Sequence, residues 1–493
     1  MAPRLEPDRS GSTIADGVPG ATSEPPATTL LSRMPALETL RPTLQSALDA
    51  SLQTHAVPGA VVGVLRGDEL VLVAGGVANV GTGVETTTDT LFQLGSISKV
   101  YTATLVLQLV HAGLVELDEP VRGALQEFRV KDDTATLTIT PRQLLAHTSG
   151  IQGDHFLDCG RNPDALWRYV STLEDVGQLH DPDDMFSYCN AGYGVLGRLV
   201  EEATGDHYAR ALQRRLLRPL ALGHTVTQAE QAIVHRVAAG HHHDDQGTPS
   251  VAPWVLSRFN APIGGIIANA EDVLTFAAMH LRGGRSVEDR QVVPAKAIAE
   301  MRNGEVEVPG TDDEWGLGWW LTKWDDQPVL AHDGDTAGQR TFLRVLPELD
   351  AAVVVLTNST RGTAVAEDVF AHVGTEALGC VPPEIPDTLP PGEGPDADRY
   401  TGIYERMHQR LAIAGGRDEG TLRMTIIPDE LFLKAGMRER TLTLHPVDDH
   451  RFVTLDPETL VQHLVVMVES DEDDDPDGVP YVHFQRRAHA RIS

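Results

Sequence analysis

The chain has 493 residues, a formal net charge of −31 and 41% hydrophobic residues, while only 5% of its residues are aromatic. This length predicts two folded units with tails, and the negative charge argues against nucleic acid or an anionic membrane as a partner. Three cysteines are too few for a disulfide framework, and no stretch approaches the roughly 18 apolar residues of a spanning helix. The N-terminus lacks the apolar core of a signal peptide, so the cytoplasm is the expected location.

The first part of the chain combines strands and helices. Residues 1–30 are rich in Pro, Gly, Ser, Thr and charged residues, which predicts a disordered tail. Leucines at helical spacing from Leu37 to Leu52 predict an amphipathic helix, and the runs AVVGVL and LVLVAGGVA predict a hairpin. Strands return at WGLGWWL, PVLAHDG, TFLRVLP and AAVVVLTN, before a helix near 364–378. This order predicts an α/β unit in which N- and C-terminal strands share one antiparallel sheet.

The middle of the chain, from about 96 to 300, is predicted to be mostly helical, with loops at PRQLLAHTSGI and APIGGIIANAEDV. A proline-rich linker follows at 381–398. Beyond it, about eight short alternating runs, including ELFLK and YVHFQRR, predict a small antiparallel barrel without helices. The acidic run 469–478 is interpreted as a solvated loop, because it lacks EF-hand ligand spacing. The predicted domains are therefore 31–380 and 399–493.

The segment FQLGSISKVYTATLVLQLVHAG carries the clearest chemical signal. A serine hydroxyl is a weak nucleophile that needs a base, and Ser96 is followed three residues later by Lys99, on the same helical face. The helix is apolar nearly all round, so burial is expected to lower the pKa of Lys99 and permit a neutral amine. Ser96 at the helix start also places its N–H where an oxyanion can form. Alone, S-x-x-K is a weak motif, because a capping serine and a surface lysine give the same pattern.

Two further segments complete a set of three motifs. MFSYCNAGYGVLGRLVEE contains Tyr188 and Asn190, and PVLAHDGDTAGQRTFL contains His332. With S-x-x-K, Y-x-N and K/H-x-G in this order, the sequence from roughly 36 to 380 resembles the superfamily of serine β-lactamases, penicillin-binding proteins, family-VIII esterases, D-aminopeptidases and penicillin-binding-protein-type thioesterases. The resemblance implies a β-lactamase/transpeptidase-like fold, an antiparallel sheet flanked by a helical domain, and a mechanism without cofactor or metal. The barrel resembles, more weakly, the lipocalin-like domains that follow this catalytic domain in some relatives.

The resemblance also implies a role for each motif residue. Ser96 would be the acylated nucleophile, and Lys99 would share its proton. Tyr188, as a phenolate or in concert with Lys99, would be the general base and would then protonate the leaving group. Asn190 would hydrogen-bond the amide side of the substrate and Lys99, and His332 would line the site on the strand that faces the helix.

The third motif departs from that of true β-lactamases. The oxyanion hole is implied to be the backbone N–H of Ser96 and of Asp335, the residue after Gly334. Where β-lactamases have Lys-Thr-Gly or Lys-Ser-Gly to grip a carboxylate, this sequence has His332 and Asp333. The carboxylates of Asp333 and Asp335 are expected beside the site, where they would strongly repel a free carboxylate of the substrate at low dielectric. We therefore expect neutral esters and amides, or substrates with a free amine, rather than β-lactams or peptides ending in D-Ala.

The leading interpretation is a serine hydrolase that opens an ester or amide bond of a small molecule or peptide through an acyl-enzyme. An acyltransferase or peptide cyclase would share every motif, because the choice between water and another nucleophile depends on pocket shape. A sensor that stays acylated is disfavoured, because such sensors are membrane-anchored and no spanning segment is predicted. The run 241–245, HHHDD, is interpreted as a polar loop rather than a metal site, and His147 as a residue that holds a loop.

Overall fold

The computed structural model describes residues 36–244, 246–390, 393–434, 437–468 and 480–493. The predicted tail at 1–30 and the acidic run at 469–478 therefore lie outside the described residues. The described chain forms one large antiparallel sheet with helices packed on both faces, followed by a closed barrel.

The large sheet is built from strands at both ends of the first part of the chain. Its strands and those of two small two-stranded sheets are β1 Gly59–Arg66, β2 Glu69–Asn79, β3 Val84–Glu85, β4 Phe92–Gln93, β5 His241–His243, β6 Pro249–Val251, β7 Ile267–Ala268, β8 Val306–Glu307, β9 Glu314–Trp315, β10 Trp320–Trp324, β11 Gln327–Thr336, β12 Gln339–Leu346 and β13 Ala351–Thr357. The nine-stranded sheet has the order β3-β2-β1-β13-β12-β11-β10-β9-β8. Because β1 pairs antiparallel with β13, the predicted sharing of one sheet by N- and C-terminal strands is confirmed.

Helices cover both faces of this sheet. The α-helices of the first part are α1 Arg41–His55, α2 Ser98–His111, α3 Val121–Ala124, α4 Asp133–Thr138, α5 Pro141–Ala146, α6 Ala165–Ser171, α7 Asn190–Thr204, α8 Tyr208–Leu212, α9 Ala229–Ala232, α10 Ala270–Leu281, α11 Ala295–Glu300 and α12 Gly362–Val373. Single 3₁₀ or π turns lie at Leu37–Leu40, Gly95–Ile97, Thr172–Asp175, Gln213–Leu217, Arg258–Asn260, Pro347–Leu349 and Gly374–Leu378. Val61 and Val62 on β1 belong to two different apolar clusters, so β1 is buried on both faces. None of the described helices has the length and apolar content needed to cross a membrane.

Two predicted loops of the middle region contain regular structure. The segment PRQLLAHTSGI begins with α5, because Thr140 and Gln143 form a reciprocal capping box and Pro141 occupies the first helical position. The helix ends at His147, which has a φ of +62°. In APIGGIIANAEDV, β7 and the start of α10 interrupt the predicted loop. Both loop predictions are therefore wrong in part.

The histidine run is also regular structure rather than a loop. Residues His241–His243 form β5, which pairs with β6. His241 Nδ1 donates to Asn358 O at 2.8 Å, and Nε2 accepts from Val80 N at 3.2 Å. These two hydrogen bonds attach β5 to the residues that follow β2 and β13 of the large sheet. Within the described ranges, no group of three or more His, Cys, Asp or Glu side chains is arranged to hold a metal ion.

The C-terminal part is a closed eight-stranded antiparallel barrel. Its strands are β14 Gly402–Arg406, β15 Gln409–Gly415, β16 Leu422–Pro428, β17 Arg440–Pro446, β18 Arg451–Asp456, β19 Val461–Val468, β20 Tyr481–Phe484 and β21 Arg487–Arg491, after a 3₁₀ turn at Ala397–Arg399. ELFLK, predicted as a strand, is instead helix α13, Glu430–Lys434, which starts where the Asp429 carboxylate accepts from Phe432 N. YVHFQRR, predicted as one strand, bends into β20 and β21 at Gln485-Arg486.

Candidate active site

Ser96 lies in the 3₁₀ turn Gly95–Ile97, which leads directly into α2. Most side chains of α2 are apolar and buried, so the helix crosses the core and presents its first turn to the site. Lys99 is fully buried, and its Nζ lies 3.0 Å from Ser96 Oγ. The same Nζ donates to the carbonyl of Ile263 at 2.7 Å. The predicted pairing of serine and lysine is thus present at hydrogen-bond distance.

The surroundings of Lys99 favour a neutral amine. Burial is the main cause that holds its pKa well below the usual value, and the positive charge of Arg487 acts in the same direction. The carboxylate of Asp154 opposes this shift. A lysine with a depressed pKa can accept the proton of a neighbouring hydroxyl, which a permanently charged arginine cannot do.

The backbone on which the predicted oxyanion hole depends is closely packed. A Cβ at Gly334 would lie 1.9 Å from Leu94 O, and a Cβ at Gly95, whose φ is +52°, would lie 2.6 Å from Asp335 N. Only glycine allows this approach at either position. Strand β11 therefore brings the N–H of Asp335 against the turn that carries Ser96.

The extended segment before α7 is held on both sides by hydrogen bonds to its backbone. Ser187 N donates to His147 O at 2.9 Å, and Cys189 N donates to His147 Nδ1 at 3.0 Å. His147 therefore holds a loop, as predicted. Between these bonds, Tyr188 N donates at 2.9 Å to the carbonyl of Arg486, a barrel residue. The position of Tyr188 is thus set by both parts of the chain.

The Tyr188 ring lies next to the lysine and is almost completely buried, with 8% of its surface exposed. Lys99 Nζ is 5.1 Å from the ring centroid. Burial raises the pKa of Tyr188, opposed by interaction with the Ser96 hydroxyl and by the charges of Arg487 and Arg486. The Tyr188 hydroxyl is near enough to Ser96 to be influenced by it, although no hydrogen bond of normal geometry joins them among the described residues.

Asn190 opens α7 and pairs with a carboxylate that the sequence did not single out. Its Nδ2 donates to Asp154 Oδ1 at 2.7 Å, and the predicted hydrogen bond to Lys99 is not formed in the described chain. The other oxygen of Asp154 is paired with Arg406 and, at 3.0 Å, with Arg487 Nε. Burial alone would raise the pKa of Asp154, but the two arginines hold it well below its usual value.

The barrel contributes directly to the site. The turn between β20 and β21 is formed by Gln485 and Arg486, which both have positive φ, as a two-residue hairpin turn requires. The Arg486 guanidinium lies 3.9 Å from the centroid of the Trp320 ring, and that of Arg487 lies 5.0 Å from the centroid of the Tyr188 ring. Sequence reasoning missed these residues because the barrel has no motif in common with the three catalytic segments.

His332 lies on β11 with its ring 6.4 Å from that of Tyr188. Its Nδ1 donates to Asp333 O at 2.8 Å, so the neutral ring presents Nε2 as an acceptor. This buried Nε2 has no hydrogen-bond partner within the described part of the chain. Burial is the main cause that lowers the pKa of His332 to about 3.

The two carboxylates of the third motif are both ion-paired. Asp333 Oδ1 lies 2.6 Å from Arg344 Nη1, and Asp333 Oδ2 lies 3.9 Å from Arg486 Nη1. Asp335 pairs with Arg340 at 3.1 Å. These ion pairs weaken the predicted repulsion of free-acid substrates, which stays a prediction.

The site contains two titratable groups whose pKa values are shifted in opposite directions by their environments: that of Lys99 is lowered and that of Tyr188 is raised. Lys99 is favoured as a neutral base and Tyr188 as a neutral phenol, and both lie beside one half-buried serine. Such a divergence assigns one group to accept a proton and the other to donate one. With two backbone N–H groups close by, the arrangement fits acyl transfer through a serine ester.

Comparison with known proteins agrees with this arrangement. The family model described as Beta-lactamase matches residues 44–374, which contain the three motifs. "Penicillin-binding protein 4" of Amycolatopsis lactamdurans is 42% identical over 373 residues, which are 73% of this chain and 97% of that protein.

Solved structures extend the likeness to the barrel. SurE is 27% identical with a TM-score of 0.75, and the match covers 93% of this chain and 100% of SurE. The octameric penicillin-binding protein homologue from Pyrococcus abyssi is 19% identical with a TM-score of 0.61, and covers 91% of this chain and 99% of that one. The second likeness shows the fold alone.

Proposed function

We propose, from the premise that this chain belongs to the Beta-lactamase family, that it is a serine hydrolase that opens an ester or amide bond through an acyl-enzyme at Ser96. The observation that carries the proposal is the distance of 3.0 Å between Ser96 Oγ and a fully buried Lys99 Nζ. A hydroxyl becomes a useful nucleophile only with such a base beside it.

The residues divide the acylation step between them. Neutral Lys99 accepts the Ser96 proton as Oγ attacks the substrate carbonyl, and the oxyanion lies against the N–H groups of Ser96 and Asp335. The C–N or C–O bond then breaks, and Tyr188, a neutral phenol, gives its proton to the leaving group and recovers one from Lys99. Water repeats the sequence on the acyl-enzyme, which releases the acid and free Ser96.

A small molecule or peptide is the proposed substrate. A cavity between the first part of the chain and the barrel is lined by residues that include Tyr188, Arg406 and Met407. Ser96 is not among its lining residues, so the cavity marks the tyrosine side of the site only.

A second candidate function, transfer of the acyl group to an amine or alcohol, is favoured by closure of the site. Barrel residues Arg486 and Ala488 hydrogen-bond the backbone of Tyr188 and the side chain of Ser187, so the barrel covers the tyrosine. The barrel would restrict the access of water to the tyrosine side of the acyl-enzyme, which favours another nucleophile that can bind there. The acceptor atom Nε2 of His332 would suit the N–H or O–H of such a nucleophile.

The nucleophile is tested by intact-protein mass after reaction with a fluorophosphonate. Ser96→Ala should abolish both labelling and turnover. Ser98→Ala is the matched control and should still be labelled, because the Ser98 hydroxyl accepts from Ile266 N at 3.0 Å and serves packing. Labelling that survives in Ser96→Ala would exclude Ser96 as the nucleophile.

The fate of the acyl group is tested with activated esters, D- and L-amino-acid amides and β-lactams. Turnover in buffer alone supports the hydrolase, and turnover that needs an added amine supports the transferase. A mass adduct that persists for hours with every substrate would contradict both and favour an acylated sensor.

A further inference from the structure

Asp154 is a buried carboxylate that joins the two parts of the chain. Its Oδ1 accepts from Asn190 Nδ2 at 2.7 Å, and its Oδ2 is paired with both Arg406 and Arg487 from the barrel. One negative charge is thus shared by two guanidinium groups. The three charged side chains therefore have a net charge of +1, and that of Arg487 is 22% exposed.

The uncompensated charge lies against Tyr188. Arg487 has its guanidinium carbon 5.0 Å from the centroid of the tyrosine ring. Arg406 instead turns toward the barrel, where its Nη2 donates to Gln409 at 3.2 Å and its Nε donates to His489 at 3.1 Å. Of the two cations, Arg487 is therefore the one placed to act on the ring.

The position of Arg487 relative to Tyr188 is fixed by the backbone. On either side of it in sequence, Arg486 O accepts from Tyr188 N at 2.9 Å, and Ala488 N donates to Ser187 Oγ at 3.2 Å. Its own Nη1 donates to Gln485 O at 3.0 Å. These bonds hold the β20–β21 turn against the segment that carries the tyrosine, so the charge has a defined place in the site.

We propose that Arg487, held by Asp154, is a positioning residue of the site, through which the barrel sets the protonation of Tyr188 and Lys99. The proposal rests on the proposed function, in which these two groups move the proton of Ser96. It assigns the barrel a direct part in the chemistry of the first domain.

The direction of the effect is the same for both groups. A fixed positive charge stabilises the tyrosine as phenolate and destabilises the lysine as ammonium, so it lowers both pKa values. The carboxylate of Asp154 raises both. Whichever of the two groups is the base, removal of Arg487 should move the acidic limb of the pH–rate profile to higher pH.

The test is the pH dependence of kcat/KM for a neutral aryl ester with the full chain. In Arg487→Gln the acidic limb should move upward by roughly one pH unit, the lower end for a charge at this range. Arg487→Lys keeps the charge and should return the limb toward that of the wild type. Arg410→Gln removes an exposed barrel arginine that pairs with Glu405 and should leave the profile unchanged.

Asp154→Asn provides a second test that does not depend on how well Arg487→Gln folds. The asparagine can still accept from Asn190 but lacks the negative charge, so the acidic limb should move to lower pH. An unmoved limb in Arg487→Gln, or an upward movement in Asp154→Asn, would overturn the proposal. Because Ser96 labelling is read in the same proteins, that failure would be distinct from failure of the proposed function.

Discussion

The Ser96 side and the Tyr188 side of the site are held in place by different interactions. Ser96 and Lys99 belong to one buried apolar helix, and the lysine is fixed by the carbonyl of Ile263 in the same part of the chain. Tyr188 and Asn190 depend on the barrel, through a backbone hydrogen bond and the ion pairs of Asp154.

The two sides show that apolar packing and charge pairing place a functional residue in different ways. When an apolar helix is buried, a lysine on it is buried as well. The low dielectric around that lysine then lowers its pKa without any specific partner. A buried carboxylate, in contrast, must be supplied with partners, and here they arrive from a barrel more than two hundred residues further along the chain. The positions of Ser96 and Lys99 should therefore tolerate changes in the barrel that displace Tyr188 and Asn190.

The largest effect is expected from Lys99→Arg, which places a permanent positive charge on the Ser96 side and removes the ability to accept a proton. We expect kcat/KM to fall by at least ~10²-fold, the low end for a positioned acid–base group. Tyr188→Phe should cause a similar loss with the fold intact by circular dichroism. Near-wild-type rates in Lys99→Arg would mean that the lysine serves only as a fixed cation.

Next in size is the effect of Arg406→Leu on stability. Asp154 would keep Arg487, so its charge would stay balanced, but the variant loses the buried hydrogen bonds that Arg406 donates to Asp154, Gln409 and His489. At about 1 kcal/mol each, these are worth about 3 kcal/mol of unfolding free energy. Urea unfolding at neutral pH measures this change. As the control, Arg410→Leu breaks the exposed pair with Glu405 and should cost less than about 1 kcal/mol of unfolding free energy. Equal losses of stability in the two variants would contradict the expected difference between a buried and an exposed arginine.

Acid should weaken the barrel side through His483 on β20. Burial, reinforced by the charge of His180, lowers the pKa of His483 to about 3, whereas an unfolded histidine titrates near 6.5. The contribution of neutral His483 to the free energy of unfolding is therefore complete above pH ~6.5 and is lost progressively as the pH falls toward 3.

The experiment compares urea unfolding of the wild type and His483→Gln at pH 7 and pH 5. Glutamine takes up no proton, so the variant should lose less stability between the two pH values, by about 2 kcal/mol. An identical loss in both proteins would show that His483 is not excluded from protonation in the folded state.

The smallest effect is expected at Asp333, the residue from which the sequence predicted discrimination against free acids. Because Asp333 is already paired with Arg344 and Arg486, Asp333→Thr should change the kcat/KM ratio of a matched methyl ester and free acid by less than about tenfold. A change of several hundredfold in favour of the acid would restore the original argument that Asp333 repels carboxylates.

Much of the fold could be predicted because local patterns and global structure agree. The hairpin AVVGVL/LVLVAGGVA, the leucines of α1 and the alternation of the barrel strands all became the elements they indicated. The failures were local. ELFLK alternates like a strand, but the Asp429 cap favours a helical turn. The capping box at Thr140 and Gln143 was present in the sequence but was not used to predict a helix there.

For the site, the sequence by itself determined which residues meet within one helix or one strand. Ser96 and Lys99 are brought together by helical spacing, and Gly334 admits the backbone of β11 because it has no Cβ. Only the tertiary structure decided that Asp154, Arg406 and Arg487 complete the site. Gln485-Arg486 is not a usual hairpin-turn pair, and long-range ion pairs leave no periodic trace in a sequence, since any carboxylate can pair with any guanidinium that folding brings near it.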